Sequence, residues 1–205
     1  MQRLAKPASN KFLQNTSGGV PSWEDSGGGV LQVKTVQTGA NYATSASGMG
    51  TGAYEIAGLT LSITPSAASS YIMLTGMIHA THSTSYVGRG FITWNHSGIS
   101  ETIVQSSNGT YHHTFRIEQQ DDSGSTAGGN TKGINLMFHP NTTNAVEIKC
   151  RVHTPNAGHP VSINTNLAND DDNSDGGYSI STLTAWEIAG SISPSMTNAT
   201  MEGTS

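Results

Sequence analysis

The sequence predicts an all-β protein: an antiparallel β-sandwich, jelly-roll-like, of about nine strands behind an extended N-terminal arm. Three observations predict it. Charged residues are only 11% of the 205 positions, too few to wet the outer faces of surface helices. Ser and Thr together make up about a quarter of the chain, and Gly supplies 24 positions, a mixture suited to short strands joined by turns. Apolar and polar residues also alternate with a period of two along many short stretches.

Residues 1–29 come first, as an anchoring arm. They hold Gly/Ser clusters and two prolines with little periodicity, so they read as extended chain. Phe12, Leu13, Pro21 and Trp23 are isolated apolar groups in polar sequence. Such an arm cannot bury them against itself, so they are expected to anchor it to the main domain, a sister subunit or another protein.

Residues 30–190 form the predicted sandwich. Val146, Ile148, Cys150 and Val152 alternate with Glu147, Lys149, Arg151 and His153, giving one dry and one wet face. Tyr111, His113, Phe115 and Ile117 alternate with His112, Thr114, Arg116 and Glu118 in the same way. Further strands are expected at 31–37, 54–63, 71–79, 91–96, 134–139, 161–167 and 178–188. Asn108-Gly109, Pro140-Asn141 and Asp175-Gly176-Gly177 supply turn chemistry between them. No helix of two turns or more is expected, and no repeat of fixed period suggests a solenoid. Residues 191–205 are Ser/Thr/Asn-rich and read as a flexible or strapping tail.

The charge balance bounds the partners. A formal net charge of −5 with nine Lys and Arg leaves no basic footprint for nucleic acid or anionic lipid. No stretch approaches the ~20 apolar residues of a membrane-spanning helix, and the first seven residues lack the apolar core of a secretory signal. The lone Cys150 excludes an intrachain disulfide and falls on the dry side of its strand, as a small buried hydrophobe. Folding in a cytoplasm is expected; if the chain works outside, release on lysis as part of an assembled particle is one route.

Several patterns invite a chemical reading. Glu24-Asp25-Ser26-Gly27-Gly28 is similar to the sequence around the nucleophilic serine of trypsin-like proteases. That family places its histidine and aspartate upstream, whereas the first histidine here is His79. Asp171, Asn173 and Asp175 occupy positions one, three and five of an EF-hand-like calcium loop, making a weak calcium candidate. Position twelve is Thr182, inside a predicted strand, so an acidic solvated loop is the preferred reading. No two of the eight histidines have a chelating spacing on a strand, so surface or interface histidines are expected, with no cofactor. Among the glutamates, Glu118 and Glu147 are expected to pair with Arg116 and Lys149 on the wet faces. The sequons at Asn95, Asn108, Asn141 and Asn198 follow from an Asn/Thr-rich chain. No catalytic residue is assigned, and no enzyme is expected.

Four segments carry a resemblance. Lys11-Phe12-Leu13-Gln14-Asn15 precedes Gly18-Gly19-Val20-Pro21-Ser22-Trp23 in the arm. The core holds 58–66, ending Ile63-Thr64-Pro65-Ser66, before Ser70-Tyr71-Ile72-Met73-Leu74. Later come 140–146, opening Pro140-Asn141-Thr142-Thr143, and the closing stretch Ser181 to Ile188. In this order they resemble small β-domain bacteriophage virion proteins of the tail-fibre and head-appendage (decoration) type. The resemblance implies a homotrimeric virion component assembled in the host cytoplasm. It would contact other capsid or tail proteins and, by an outward domain, a host-surface glycan. It brings no catalytic residues. At 205 residues without a shaft region, a compact decoration or short appendage fits as well as a fibre tip. The rival reading is a carbohydrate-binding module, with Tyr86 and Trp94 as glycan contacts beside the acidic loop; core or interface positions for Trp94 and Trp186 are the preferred reading.

Overall fold

A computed structural model of the chain describes residues 11–15, 21–25, 29–45, 47–82, 88–104, 114–117, 131–156, 158, 160–164 and 179–190. Thirteen strands form among them, all paired antiparallel, with one short 3-10 turn at Gly50–Gly52 and no α-helix. Strands β1 (Lys11–Asn15) and β2 (Pro21–Asp25) make a two-stranded sheet of their own.

The remaining strands build two sheets. The first contains β3 (Val30–Thr38), β4 (Tyr42–Thr44), β6 (Tyr71–His82), β10 (Thr131–Phe138), β12 (Val161–Ile163) and β13 (Ser181–Ile188). Its order is β3-β13-β6-β12-β4, with β10 also on β6. The second contains β5 (Tyr54–Ile63), β7 (Gly88–His96), β8 (Ile99–Ile103), β9 (Phe115–Ile117) and β11 (Val146–His153), in the order β5-β11-β7-β8 with β9 also on β7.

The pairing follows a nested order once the separate β1–β2 ladder and the short β4 and β12 are set aside. Outermost strands in the sequence meet, then the next inward: β3 with β13, β5 with β11, β6 with β10, and β7 with β8 and β9. One long antiparallel hairpin rolled into two sheets gives that pattern, which is a jelly roll.

The period-two pattern decides which side of each strand is dry. Along β11, Val146, Ile148, Cys150 and Val152 are fully buried while Glu147, Lys149 and Arg151 are not. In β6, Ile72, Leu74, Ile78 and Ala80 point to the same core, as do Leu183 and Ala185 of β13. Leu59, Leu61 and Ile63 of β5 close it from the other sheet. Trp94 and Phe138 pack against its margin, their rings 5.1 Å apart.

Two glycines are required by the backbone. Between Thr60 and Glu55 strand β5 bulges against β11, and Gly58 sits in the bulge at φ 82°. A Cβ there would also stand 2.9 Å from Thr38 Cβ. Gly90 of β7 leaves room for the Phe115 ring, whose atoms would lie 2.0–2.4 Å from any Cβ.

The structure departs from the sequence reading in three places. Thirteen strands replace about nine, the additions being β1, β2, β4 and β8. Within the arm, 11–15 and 21–25 form a paired ladder, with Leu13 opposite Trp23 and Asn15 opposite Pro21. Some strand bounds also move: β6 runs on to His82, and β12 ends at Ile163.

Candidate functional site

Ionisable side chains are the natural place to look for chemistry, and the sandwich uses them for structure. Arg151, on the outer face of the second sheet, grips Glu101 with two parallel hydrogen bonds, Nε to Oε1 at 2.7 Å and Nη2 to Oε2 at 3.0 Å. Its Nη1 donates to the Ala53 carbonyl at 2.9 Å. Thr93 also donates its hydroxyl to Glu101. Burial alone would raise the Glu101 carboxyl; the bonds from Arg151 and Thr93 and the guanidinium charge outweigh it, holding the acid below its usual range. Glu55 lies 3.5 Å from both Arg151 and Lys149, and Lys149 lies 3.3 Å from Glu147. The expected Glu147–Lys149 pair thus forms along β11 rather than across strands. Glu118 lies outside the described residues.

The fourth glutamate with a described side chain, Glu187, is buried in the first sheet without a cation. Its Oε1 accepts from the Ser66 backbone N–H at 2.6 Å and the Ser70 hydroxyl at 2.7 Å. Its Oε2 accepts from Gln32 Nε2 at 2.7 Å and the Ser66 hydroxyl at 3.1 Å. The carboxylate therefore clasps the turn between β5 and β6 to strands β3 and β13. Burial pushes its acidity one way, but the bonds from Gln32, Ser70 and Ser66 win and keep it ionised. Nothing in the sequence marks Glu187 for this role beyond its place on the dry side of its strand.

Histidines are more buried than expected. His79, His82 and His153 are all less than a tenth exposed. His82 Nε2 shares a hydrogen bond with Thr154 Oγ1 at 3.0 Å, and His153 Nδ1 one with the Gly48 carbonyl at 3.1 Å. The physical reason is that β6 extends beyond its predicted end and carries His82 into the core. Among the described residues no three His, Cys, Asp or Glu gather as metal ligands.

Trp94 stands opposite Ile148 in the ladder, on the inward side, and packs against Phe138 and His96. It closes the edge of the core instead of offering an outward platform. Tyr86 and the loop holding Asp171, Asn173 and Asp175 lie outside the described residues. Phe12, Leu13, Pro21 and Trp23 lie in the β1–β2 ladder. Cys150 is buried as expected, and burial pushes its thiol far up.

A surface remains that the sequence reading missed. On the first sheet, residues alternate with the buried ones to form an outer face. Val33, Trp186, Met73 and Met137 lie in one cross-strand row spanning β3, β13, β6 and β10. Val30, Ile188 and Tyr71 continue it one row further, where Tyr71 stacks on His139 at 4.9 Å. Threonine-rich rows follow, tied by Trp186 Nε1 donating to Thr75 at 2.9 Å and by Thr35 and Thr184 hydroxyls 3.0 Å apart. Val30 is 52% exposed, Val33 44%, Met137 41% and Met77 56%. The signal was available: in 30–37 and 71–77 apolar residues occupy the side that the alternation assigns to water.

No family model matches this chain, and no curated protein does. Among solved structures, it is similar to the VP2 subviral particle of infectious bursal disease virus at 14% identity and TM-score 0.27. That match covers 82% of this chain and 42% of the other. The Gx strain structure of infectious bursal disease virus matches at 13% identity and TM-score 0.24, over 91% of this chain and 40% of the other. The chain therefore spans less than half the length of either. At those scores the likeness carries no argument, and the fold rests on the strand order above.

Proposed function

We propose that this chain is a non-enzymatic structural subunit of a virus particle, of the bacteriophage tail-fibre, short-appendage or capsid-decoration kind, working as several identical copies. One observation carries the reading. All four glutamates with described side chains are committed to holding strands and turns, while the first sheet turns a neutral, apolar face to water. Such a slab gains its purpose by contact. The resemblance of the arm and core segments to phage virion domains supports the finer statement. The β1–β2 ladder then docks the subunit to the particle, in a homotrimer whose sandwich faces outward toward a host surface. A carbohydrate-binding module that uses Trp94 as its platform would need that ring outward, and Trp94 is turned inward.

Particle association is the test. Density-purified particles from a lysate of the encoding virus, probed with antibody and by quantitative mass spectrometry, should carry the chain at fixed stoichiometry. Finding it only as free protein overturns the proposal. A variant lacking residues 1–29 should remain a folded, soluble sandwich that no longer joins particles, and normal occupancy by that variant rules out docking through the arm.

A further inference from the structure

We infer that the outer face of the β3-β13-β6-β10 sheet is the surface through which copies of this chain associate, each covering the Val33–Trp186–Met73–Met137 row of another. This deepens the proposal of a self-assembling subunit and shares with it the premise that copies meet.

The occupant follows from charge and extent. No Lys, Arg, Asp or Glu occupies any of the four rows, on a chain of formal net charge −5. A surface that meets its own copy meets its own charge; any excess of one sign is opposed by the same sign. A neutral face escapes that penalty, so here two copies approach without repulsion. A partner recognised by charge would find nothing to pair with.

Extent agrees. Four strands at ~4.8 Å spacing and about eight residues at ~3.3 Å rise give a plane of roughly 500 Å². With the pleat and protruding methionines, its accessible area approaches the ~800 Å² each partner contributes to a standard interface. The composition is also that of an interface centre: one Trp, one Tyr and three Met, including Met77, ringed by threonine hydroxyls.

The experiment uses the full-length chain in sedimentation equilibrium and native mass spectrometry across about 1–100 µM. The wild type should populate an oligomer, and Val33→Glu combined with Met137→Glu should weaken association by about a hundredfold or more, since each interface then buries unpaired carboxylates. Both positions are more than 40% exposed in the isolated chain, so the fold tolerates them. Ser62→Lys, opposite Glu147 on the other sheet, should leave the mass unchanged. In a measurement free of substitutions, peroxide oxidation of Met137 and Met77 should slow as the wild type is concentrated. A wild type that stays monomeric at 100 µM, a double variant of unchanged mass, or concentration-independent oxidation each overturns the assignment. A monomer that still decorates purified particles sinks this face while leaving the virion proposal standing.

Discussion

Replacing Glu187 with Gln removes one charge and adds two hydrogens at the buried clasp, and the outcome can be worked through atom by atom. If the new amide nitrogen replaces Oε1, it faces the Ser66 backbone N–H, a donor that cannot turn over. If it replaces Oε2, it faces Gln32 Nε2. Gln32 could flip its amide, but that nitrogen also donates to the Thr64 carbonyl at 2.5 Å, so flipping breaks a second bond. Either orientation leaves a donor against a donor at a side chain that is itself fully buried. Hydrogen bonds to charged groups are worth roughly 1.5–3 kcal/mol, so the expected loss is about 2 kcal/mol, or about 4–8 °C in melting temperature for a chain of this size. The pH dependence gives a second signature. The folded carboxyl titrates below its usual value, so its contribution is present above about pH 4.3 and is lost as pH falls through the folded value. Scanning calorimetry should show a wild-type advantage at pH 7 that shrinks below pH 4. A variant within 1 °C of wild type at pH 7, or a gap that holds in acid, refutes the clasp.

Other expectations follow from the same interior. Gly58→Ala should cost about 1–3 kcal/mol from the left-handed backbone and the nearby Thr38, read by denaturant titration; a neutral result shows the bulge can relax. His79 and His153 are held neutral, chiefly by burial, with Arg89 adding to the effect at His153 and the Gly48 carbonyl opposing it. Their folded values lie below the unfolded ~6.5, so stability is full above that pH and is lost as pH falls beneath it; a melting temperature flat from pH 7.5 to 5 contradicts this. Cys150 should react with a thiol reagent only at the rate of unfolding, and stoichiometric labelling of native protein within minutes disproves its burial.

Strand β11 was legible in the sequence because its two faces differ at every step, and β5 matched residue for residue because Gly and Pro punctuate both ends. Strands β4 and β12 were harder: at three residues each they are too short to show a period, and the sheet supplies the order that the local sequence lacks. The β1–β2 ladder was hidden for another reason, since pairing between neighbours leaves no mark when glycines and serines fill the space between. Trp94 shows how residue type leaves two readings open. An aromatic can be a ligand platform or a core residue, and its place opposite the buried Ile148 selects the core. The outer face of the first sheet emerged only when four strands distant in sequence were set side by side.

The rolled hairpin also orders events during synthesis. A ribosome delivers β3 early, but its partner β13 ends at Ile188, about 150 residues later. Until then the nascent chain carries β3 and one flank of β6 with their amides unanswered, while local pairs such as β1 with β2 and β7 with β8 can close as they emerge. Completion of the first sheet therefore waits for β13, the strand that pairs with both β3 and β6.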